Sequence, residues 1–256
     1  VIVIKVIEMM IYTAREYKPN ECVDLGAAVG TWLGANNMIL TGRDGKPVSR
    51  LLRRAMTVGL AGSGVTVLDM RLVPSMVVRA EIKKHGMGAG IYVRYSVQNG
   101  VEILLYDKNG EPAKEDAVNK INSILKRREF HRVSIEELGT ILYYPNGIED
   151  FVKMTTGQIS YNKKLNIYVD AQDDPVAMLV PPLFEKYGFK YTLFNELVAG
   201  YNIPKPKEDF ISNLRKGKYD YGIRFLDENI ELYDGNGNMV EKFNKVVSLL
   251  EYLRGK

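Results

Sequence analysis

An eight-residue pattern, Ile-x-Leu-Tyr-Asp-x-Asn-Gly, occurs twice in this chain of 256 residues, at Ile103–Gly110 and at Ile230–Gly237. Each copy follows a Gly-Ile pair that opens an apolar run, Gly90-Ile91 and Gly222-Ile223. A recurrence of that length in the same local context marks two copies of one supersecondary unit. The closing Asn-Gly is a hairpin signal, because both residues tolerate positive φ. The chain therefore has to fold as a repeat, with a short loop upstream of each copy, Arg94–Asn99 and Leu226–Asn229.

The first unit reads in order from its apolar runs. Met38-Ile39-Leu40 is a short buried strand, and Pro47–Ala61 follows with apolar residues at helical spacing. Val65–Met70 is a strand, Pro74–His85 a helix, Ile91–Val93 a strand and Val101–Tyr106 its return. Before them Asn20–Gly34 is a helix, and after them Lys114–Arg128 is another. The second unit repeats the order with strand Leu165–Asp170, helix Val176–Tyr187, strand Lys190–Asn195, helix Lys207–Arg215, strand Tyr221–Phe225 and return Ile230–Tyr233. A closing helix is expected over Glu241–Arg254. Strand–helix alternation with short connections implies right-handed crossovers and a mostly parallel sheet. The expected fold is α/β, with two related β-α-β-α-β domains over residues 1–154 and 155–256, each with an antiparallel return strand and helices on both faces. The polar stretch Thr155–Lys164 is the expected linker.

Composition excludes several classes. Hydrophobic residues make up 46% and charged residues 26%, which is ordinary for a soluble domain. A net charge of +4 permits an anionic partner without demanding one. The single cysteine, Cys22, rules out an internal disulfide and fits a reducing compartment, so a cytoplasmic location is expected. Two histidines, His85 and His131, leave no room for a His/Cys zinc site. Residues 1–11 are apolar but interrupted by Lys5 and Glu8, too short to span a bilayer and without a cleavage pattern; a buried first strand is expected.

Most motifs have a plain structural reading. Gly26, Gly30 and Gly34 fit close packing of helices in a core. Gly86-Met87-Gly88-Ala89-Gly90 leads from a helix into a strand, the reverse of a dinucleotide fingerprint. Arg50, Arg53, Arg54, Arg79, Lys83 and Lys84 fit a solvated helix face, so nucleic acid is not expected as a partner. Cys22 fits an inert buried thiol, and Asp173 and Asp174 fit caps on the helix behind Pro175. The strand ends hold more, since ligands of open α/β sheets bind beyond the carboxyl ends of parallel strands. There Thr41–Lys46 offers two cations, Arg43 and Lys46, ahead of a helix N-terminus, a plausible phosphate site.

Gly42-Arg43-Asp44, the run Gly59-Leu60-Ala61-Gly62-Ser63-Gly64-Val65, and Leu72-Val73-Pro74 resemble the first domain of the α-D-phosphohexomutases, the phosphomannomutase/phosphoglucomutase group. Leu165–Asp170, Pro204–Glu208 and Asp220-Tyr221-Gly222-Ile223 resemble that family's second domain. The resemblance implies a reaction that shuttles a phosphoryl group between a serine and hexose phosphates with bound magnesium, shared among four domains. Ser96 falls at the position of the family's phosphoserine, but Arg94-Tyr95-Ser96-Val97-Gln98 stands where the family has Thr-Ala-Ser-His-Asn-Pro. The metal loop Asp-Gly-Asp-Ala-Asp-Arg is reduced to Leu226-Asp227-Glu228-Asn229, leaving Asp227 and Glu228 as metal-ligand candidates. Arg43 and Lys46 are the substrate-binding candidates, with lysine where the family has arginine. The family's opening Gly-Thr-x-Gly-x-Arg-Gly has no counterpart in Val1–Ala14, and its third and fourth domains are not covered.

Loss of one preorganised donor commonly lowers a rate by about 10²–10³, and several parts differ here together. A non-catalytic relative is therefore expected, acting as a sugar-phosphate-sensing, regulatory or interaction module. Its expected partners are a phosphosugar and either another protein or a second copy, with no membrane. The alternative is part of a phosphosugar mutase that uses Ser96 as phosphoserine, with the remaining domains supplied elsewhere and magnesium as cofactor.

Overall fold

The computed structural model describes residues 10–16, 18–157, 164–198, 200–226 and 229–255. Contacts divide the chain at Gly147–Ile148 into two compact units. In the first, strands β1 (Met10–Ala14), β2 (Met38–Arg43), β3 (Thr66–Leu72), β4 (Ala89–Ser96), β5 (Gly100–Tyr106) and β6 (Ile141–Tyr143) form one sheet in the order β1-β5-β4-β2-β3-β6. β4, β2, β3 and β6 are parallel, and β5 runs against both β4 and β1. Helices α1 (Pro19–Leu33), α2 (Pro47–Ala61), α3 (Ser75–Lys84) and α4 (Glu115–Arg127) complete the unit.

The alternation of side chains along β4 assigns the faces. Ile91 and Val93 point into the core made with Leu25 and Val29 of α1, Leu52 and Met56 of α2, and Ile121 of α4. Gly90 points the other way, where a Cβ would lie 2.2 Å from Ile82 of α3. Helices thus cover both faces. Cys22 lies in the first core with no exposure, and burial pushes its thiol up to about 12, so it stays protonated at neutral pH. Of the apolar residues 1–11, Met10 and Ile11 belong to β1 and are buried; residues 1–9 lie outside the described residues.

The second unit has α5 (Gly147–Thr156) at its start, then β7 (Asn166–Asp170), α6 (Val176–Lys186), β8 (Lys190–Phe194), α7 (Lys207–Lys216), β9 (Tyr221–Phe225), β10 (Ile230–Asp234), β11 (Met239–Phe243) and α8 (Val246–Arg254). Its sheet order is β11-β10-β9-β7-β8, with β10 antiparallel to both neighbours. On one face Tyr168, Phe194 and Tyr233 pack with Phe210 and Leu214 of α7. The expected linker begins inside α5, and residues 158–163 lie outside the described residues.

The two copies of the repeat sit in the same register. Tyr106 pairs with Gly90 and Tyr233 with Gly222. In each turn the Asp carboxylate accepts a backbone N–H two or four residues on, and the Gly has positive φ, 73° at Gly110 and 77° at Gly237. An arginine from the covering helix closes both turns: Arg79 Nε donates to Gly110 O and Arg215 Nε to Asn236 O, each at 2.8 Å.

Beyond the turn the copies diverge. After Tyr106 a single bridge to Pro112 forms, whereas Tyr233 pairs with Met239 and β11 continues. Proline has no N–H to carry a ladder. The outer edge of β5 is taken by β1 instead, from the other end of the chain. The expected helix Glu241–Arg254 is corrected accordingly: residues 241–243 pair with β10, and the helix starts at Val246 after extended Lys245.

Gly26 and Gly59 set the α1–α2 approach. A Cβ on Gly26 would lie 2.1 Å from Met56 O, and one on Gly59 2.0 Å from Val23 O. Gly30 faces Ser63 in the same seam, while Gly34, with φ of 89°, ends α1. Gly59→Ala should destabilise the first unit by about 1–3 kcal/mol through overpacking, read as a lower urea midpoint. The exposed neighbour substitution Val58→Ala should stay within about 0.5 kcal/mol of the parent. An unchanged midpoint for Gly59→Ala would show that the helices are not in this contact.

Candidate functional site

The carboxyl ends of β2 and β4 are joined by one carboxylate. Arg43 lies opposite Val93 in register, and Asp44 then donates its N–H to Val93 O at 3.1 Å. The Asp44 side chain, 5% exposed, accepts the N–H of Lys46 at 2.9 Å and that of Tyr95 at 2.6 Å. Burial raises this carboxyl above its ordinary range, and the two N–H groups pull in the opposite direction. Asp44 thereby fixes the loop into α2 against the last turn of β4, one residue before Ser96. Lys46 is the extended N-cap residue of α2, so the amino-terminal turn of that helix begins beside it.

A second carboxylate holds the neighbouring cations. β3 bulges opposite Thr41 and Gly42, giving Arg71 a positive φ of 61°. Asp69 accepts the Arg71 N–H at 2.8 Å and meets Arg53 Nη1 at 2.6 Å, while the Arg71 guanidinium lies 3.8 Å from the centre of the Tyr143 ring. Burial pulls Arg53 below its ordinary value and Asp69 raises it again; burial also lowers Arg43, with repulsion from Arg53 adding to it. Arg53 is therefore not part of a solvated helix face. It points inward over the β3 bulge, and removing its partner would cost about 3–5 kcal/mol, which makes the pair part of the frame. The Nε atoms of Arg43 and Arg53 are buried donors with no hydrogen-bond partner among the described residues.

Ser96 ends β4 opposite Gly100, leaving a turn of residues 97–99. Its Oγ accepts the Asn99 N–H at 3.0 Å. Glu102 braces the hairpin through Arg94 and the Asn99 amide, both at 2.6 Å, and Thr13 Oγ1 donates to Asn99 O at 3.0 Å. The structure thus brings Arg43, Lys46 and Ser96 to the carboxyl end of one sheet. Asp227 and Glu228 lie outside the described residues; the flanking Leu226 N–H donates to Asn229 O at 2.8 Å.

The corresponding end of the second unit's sheet is built on a charge network that the sequence reading missed. Asp170 is fully buried and accepts Arg224 Nε at 2.9 Å, Asn195 Nδ2 at 2.8 Å and the Gln172 N–H at 3.2 Å. Arg224 Nη1 reaches Glu231 at 3.3 Å, and Glu231 also meets Tyr233 Oη, Lys242 and Lys207. The available signal was an arginine inside the apolar strand Ile223-Arg224-Phe225 with an acid in the return strand. Magnesium requires oxygen ligands in near-octahedral geometry. Asp170 and Glu231 are already engaged by Arg224, so the described residues of this end do not fit a magnesium site. Asp174 accepts the Val176 N–H at 2.9 Å, as a cap should, but Asp173 instead accepts the Val198 N–H at 2.8 Å in the loop after β8.

Residues 10–132 match the family domain described as phosphoglucomutase/phosphomannomutase, alpha/beta/alpha domain I. The first unit thus carries a domain of the phosphoglucomutase/phosphomannomutase type. A protein of Thermococcus gammatolerans named as a probable phosphoglucosamine mutase is 28% identical over 249 residues, covering 90% of this chain and 54% of its own length. The phosphoglucosamine mutase of Methanocaldococcus jannaschii is 23% identical over 178 residues, 70% of this chain and 40% of its own. The crystal structure of a phosphoglucomutase/phosphomannomutase family protein from Burkholderia thailandensis superposes with a TM-score of 0.74 at 17% identity, over 94% of this chain and 54% of that one. The chain spans about half the length of these relatives. Among the described residues no helix is long and apolar enough to cross a membrane.

In this phosphohexomutase fold the second unit carries a pH dependence. Burial raises the Glu231 carboxyl, but the bonds from Tyr233 and Lys242 and the charges of Lys207 and Arg224 outweigh it, so the net direction is down. A depressed carboxyl stabilises the folded state above the ordinary glutamate value of 4.5, and that contribution is lost as pH falls through the folded-state value. Denaturant midpoints of the second unit should fall below that pH, and Glu231→Gln should flatten part of the acid limb. An acid limb identical in parent and variant would count against the network.

Proposed function

We propose that the chain is the phosphosugar-binding, serine-bearing part of a phosphohexomutase-type phosphotransferase. Ser96 is the phosphoryl carrier, and Arg43 and Lys46 are the cations that face the phosphate. The observation that carries this reading is the Asp44 bridge, which sets Ser96 beside the start of α2. The Nε atoms of Arg43 and Arg53, buried donors without a partner among the described residues, sit at the same end of the sheet, where an anion would satisfy them. Similarity to proteins named as mutases over both units supports phosphoryl transfer over binding alone. In the step, Ser96 Oγ bonds to phosphorus of a hexose bisphosphate, the P–O bond to the sugar breaks, and the sugar oxygen leaves with the serine proton.

One observation favours the second reading, a sugar-phosphate-sensing module without turnover. The Ser96 hairpin is short and braced from both strands, and its Oγ already accepts a backbone N–H. Intact-mass measurement after incubation with glucose 1,6-bisphosphate or its glucosamine counterpart separates the two. Transfer predicts one added phosphoryl group that Ser96→Ala abolishes. Thermal stabilisation by hexose phosphates without any mass gain selects sensing. Neither mass gain nor stabilisation removes both.

A further inference from the structure

Helix α3 and its cap residue end in Glu81-Ile82-Lys83-Lys84-His85. Residues four apart share a helix face, and His85 Nε2 lies 2.9 Å from Glu81 Oε2. Glu81 is 0% exposed, yet its Oε1 has no hydrogen-bond partner among the described residues. A buried carboxylate oxygen left bare is costly, so native structures almost always give it a partner. The His85 side chain is 28% exposed, and its ring is set edge-on against Tyr144 with centroids 4.9 Å apart. An approach from solvent is therefore open on the imidazole side, and the ring plane is fixed. Both groups sit at the carboxyl end of a ten-residue helix, where unsatisfied carbonyls favour a cation.

We propose that Glu81 and His85 form a binding site for a divalent transition-metal ion of the zinc type. Imidazole nitrogen and carboxylate oxygen are both zinc donors, and tetrahedral zinc with bonds of about 2.0–2.1 Å holds neighbouring ligand atoms roughly 3.3 Å apart. The observed pair needs only a small opening to admit the ion. Oε1 then becomes either the second oxygen of a bidentate carboxylate or the acceptor for a metal-bound water, and waters fill the remaining positions. Mixed Glu/His donors need neither a second histidine nor a cysteine. A nitrogen ligand does not suit magnesium. Lys84 Nζ, 3.3 Å from Glu81 Oε2, is the competitor that the ion must displace. The site is separate from Ser96 and does not depend on phosphoryl transfer.

Calorimetric titration of the 256-residue protein with Zn²⁺, and visible absorption with Co²⁺ as a spectroscopic substitute, provide the test. The parent should take up one ion per chain, unaffected by excess Mg²⁺. His85→Gln, which removes a direct ligand, should lose at least the roughly 10–100-fold in affinity that follows loss of an outer-shell partner, and Lys84→Gln should bind more tightly than the parent. His131→Gln should match the parent. His85 is partly exposed, so its variant keeps the test readable even if Glu81→Gln fails to fold. No uptake by the parent, undiminished binding by His85→Gln, or weaker binding by Lys84→Gln would each overturn the site.

Discussion

Each unit depends on one strand position that has no side chain. Gly90 in β4 and Gly222 in β9 let a helix settle directly on the sheet; a Cβ would lie 2.2 Å from Ile82 in the first and 2.5 Å from Leu214 in the second. The tyrosine opposite each glycine, Tyr106 or Tyr233, lies at or one residue before the end of the return strand, on the same register line. The helix seated there then supplies the arginine that closes the following turn. Glycine, tyrosine, Asp-x-Asn-Gly turn and helix arginine form one linked unit, which is why the pattern survives twice in a chain whose two sheets otherwise differ.

Much of this is legible in the sequence. Periodicity placed the strands and helices of both units because their apolar faces are regular and glycines end the helices. The edges were less legible, since an edge strand buries little and leaves a weak pattern. β6 exposes all three of its residues, and β11 exposes four of its five. The choice between Pro112 and Met239 after the repeated turn decides which end of the chain supplies the edge strand. That consequence follows from a missing N–H, and no hydrophobic periodicity records it.

The candidate site was legible in its residues and not in its bonds. Arg43, Lys46 and Ser96 could be placed at strand ends from the order of elements alone. The bridge that unites them, Asp44 to Tyr95, joins residues 51 apart, and Arg224 to Asp170 spans 54. Pairs so distant in sequence leave no local signature. Arg53 shows the same limit: its helix looked solvated because charges recur along it, yet its own turn faces Asp69 at 2.6 Å.

The carboxyl ends of the two sheets handle charge in opposite ways, and this bears on where an anion can bind. In the second unit Arg224 is closed between Asp170 and Glu231, so its guanidinium is already matched by carboxylates. In the first, Asp69 holds Arg53 and Asp44 spends its oxygens on backbone N–H groups, which leaves no carboxylate bonded to Arg43 among the described residues. Burial lowers the Arg43 guanidinium most; repulsion from Arg53 and Arg50 adds to it, while the charges of Asp44 and Asp69 pull the other way. A phosphate placed there would relieve that repulsion and accept the buried donors. In the second unit it would have to break an ion pair first. If one of the two units holds the phosphate of a sugar, the electrostatics favour the first.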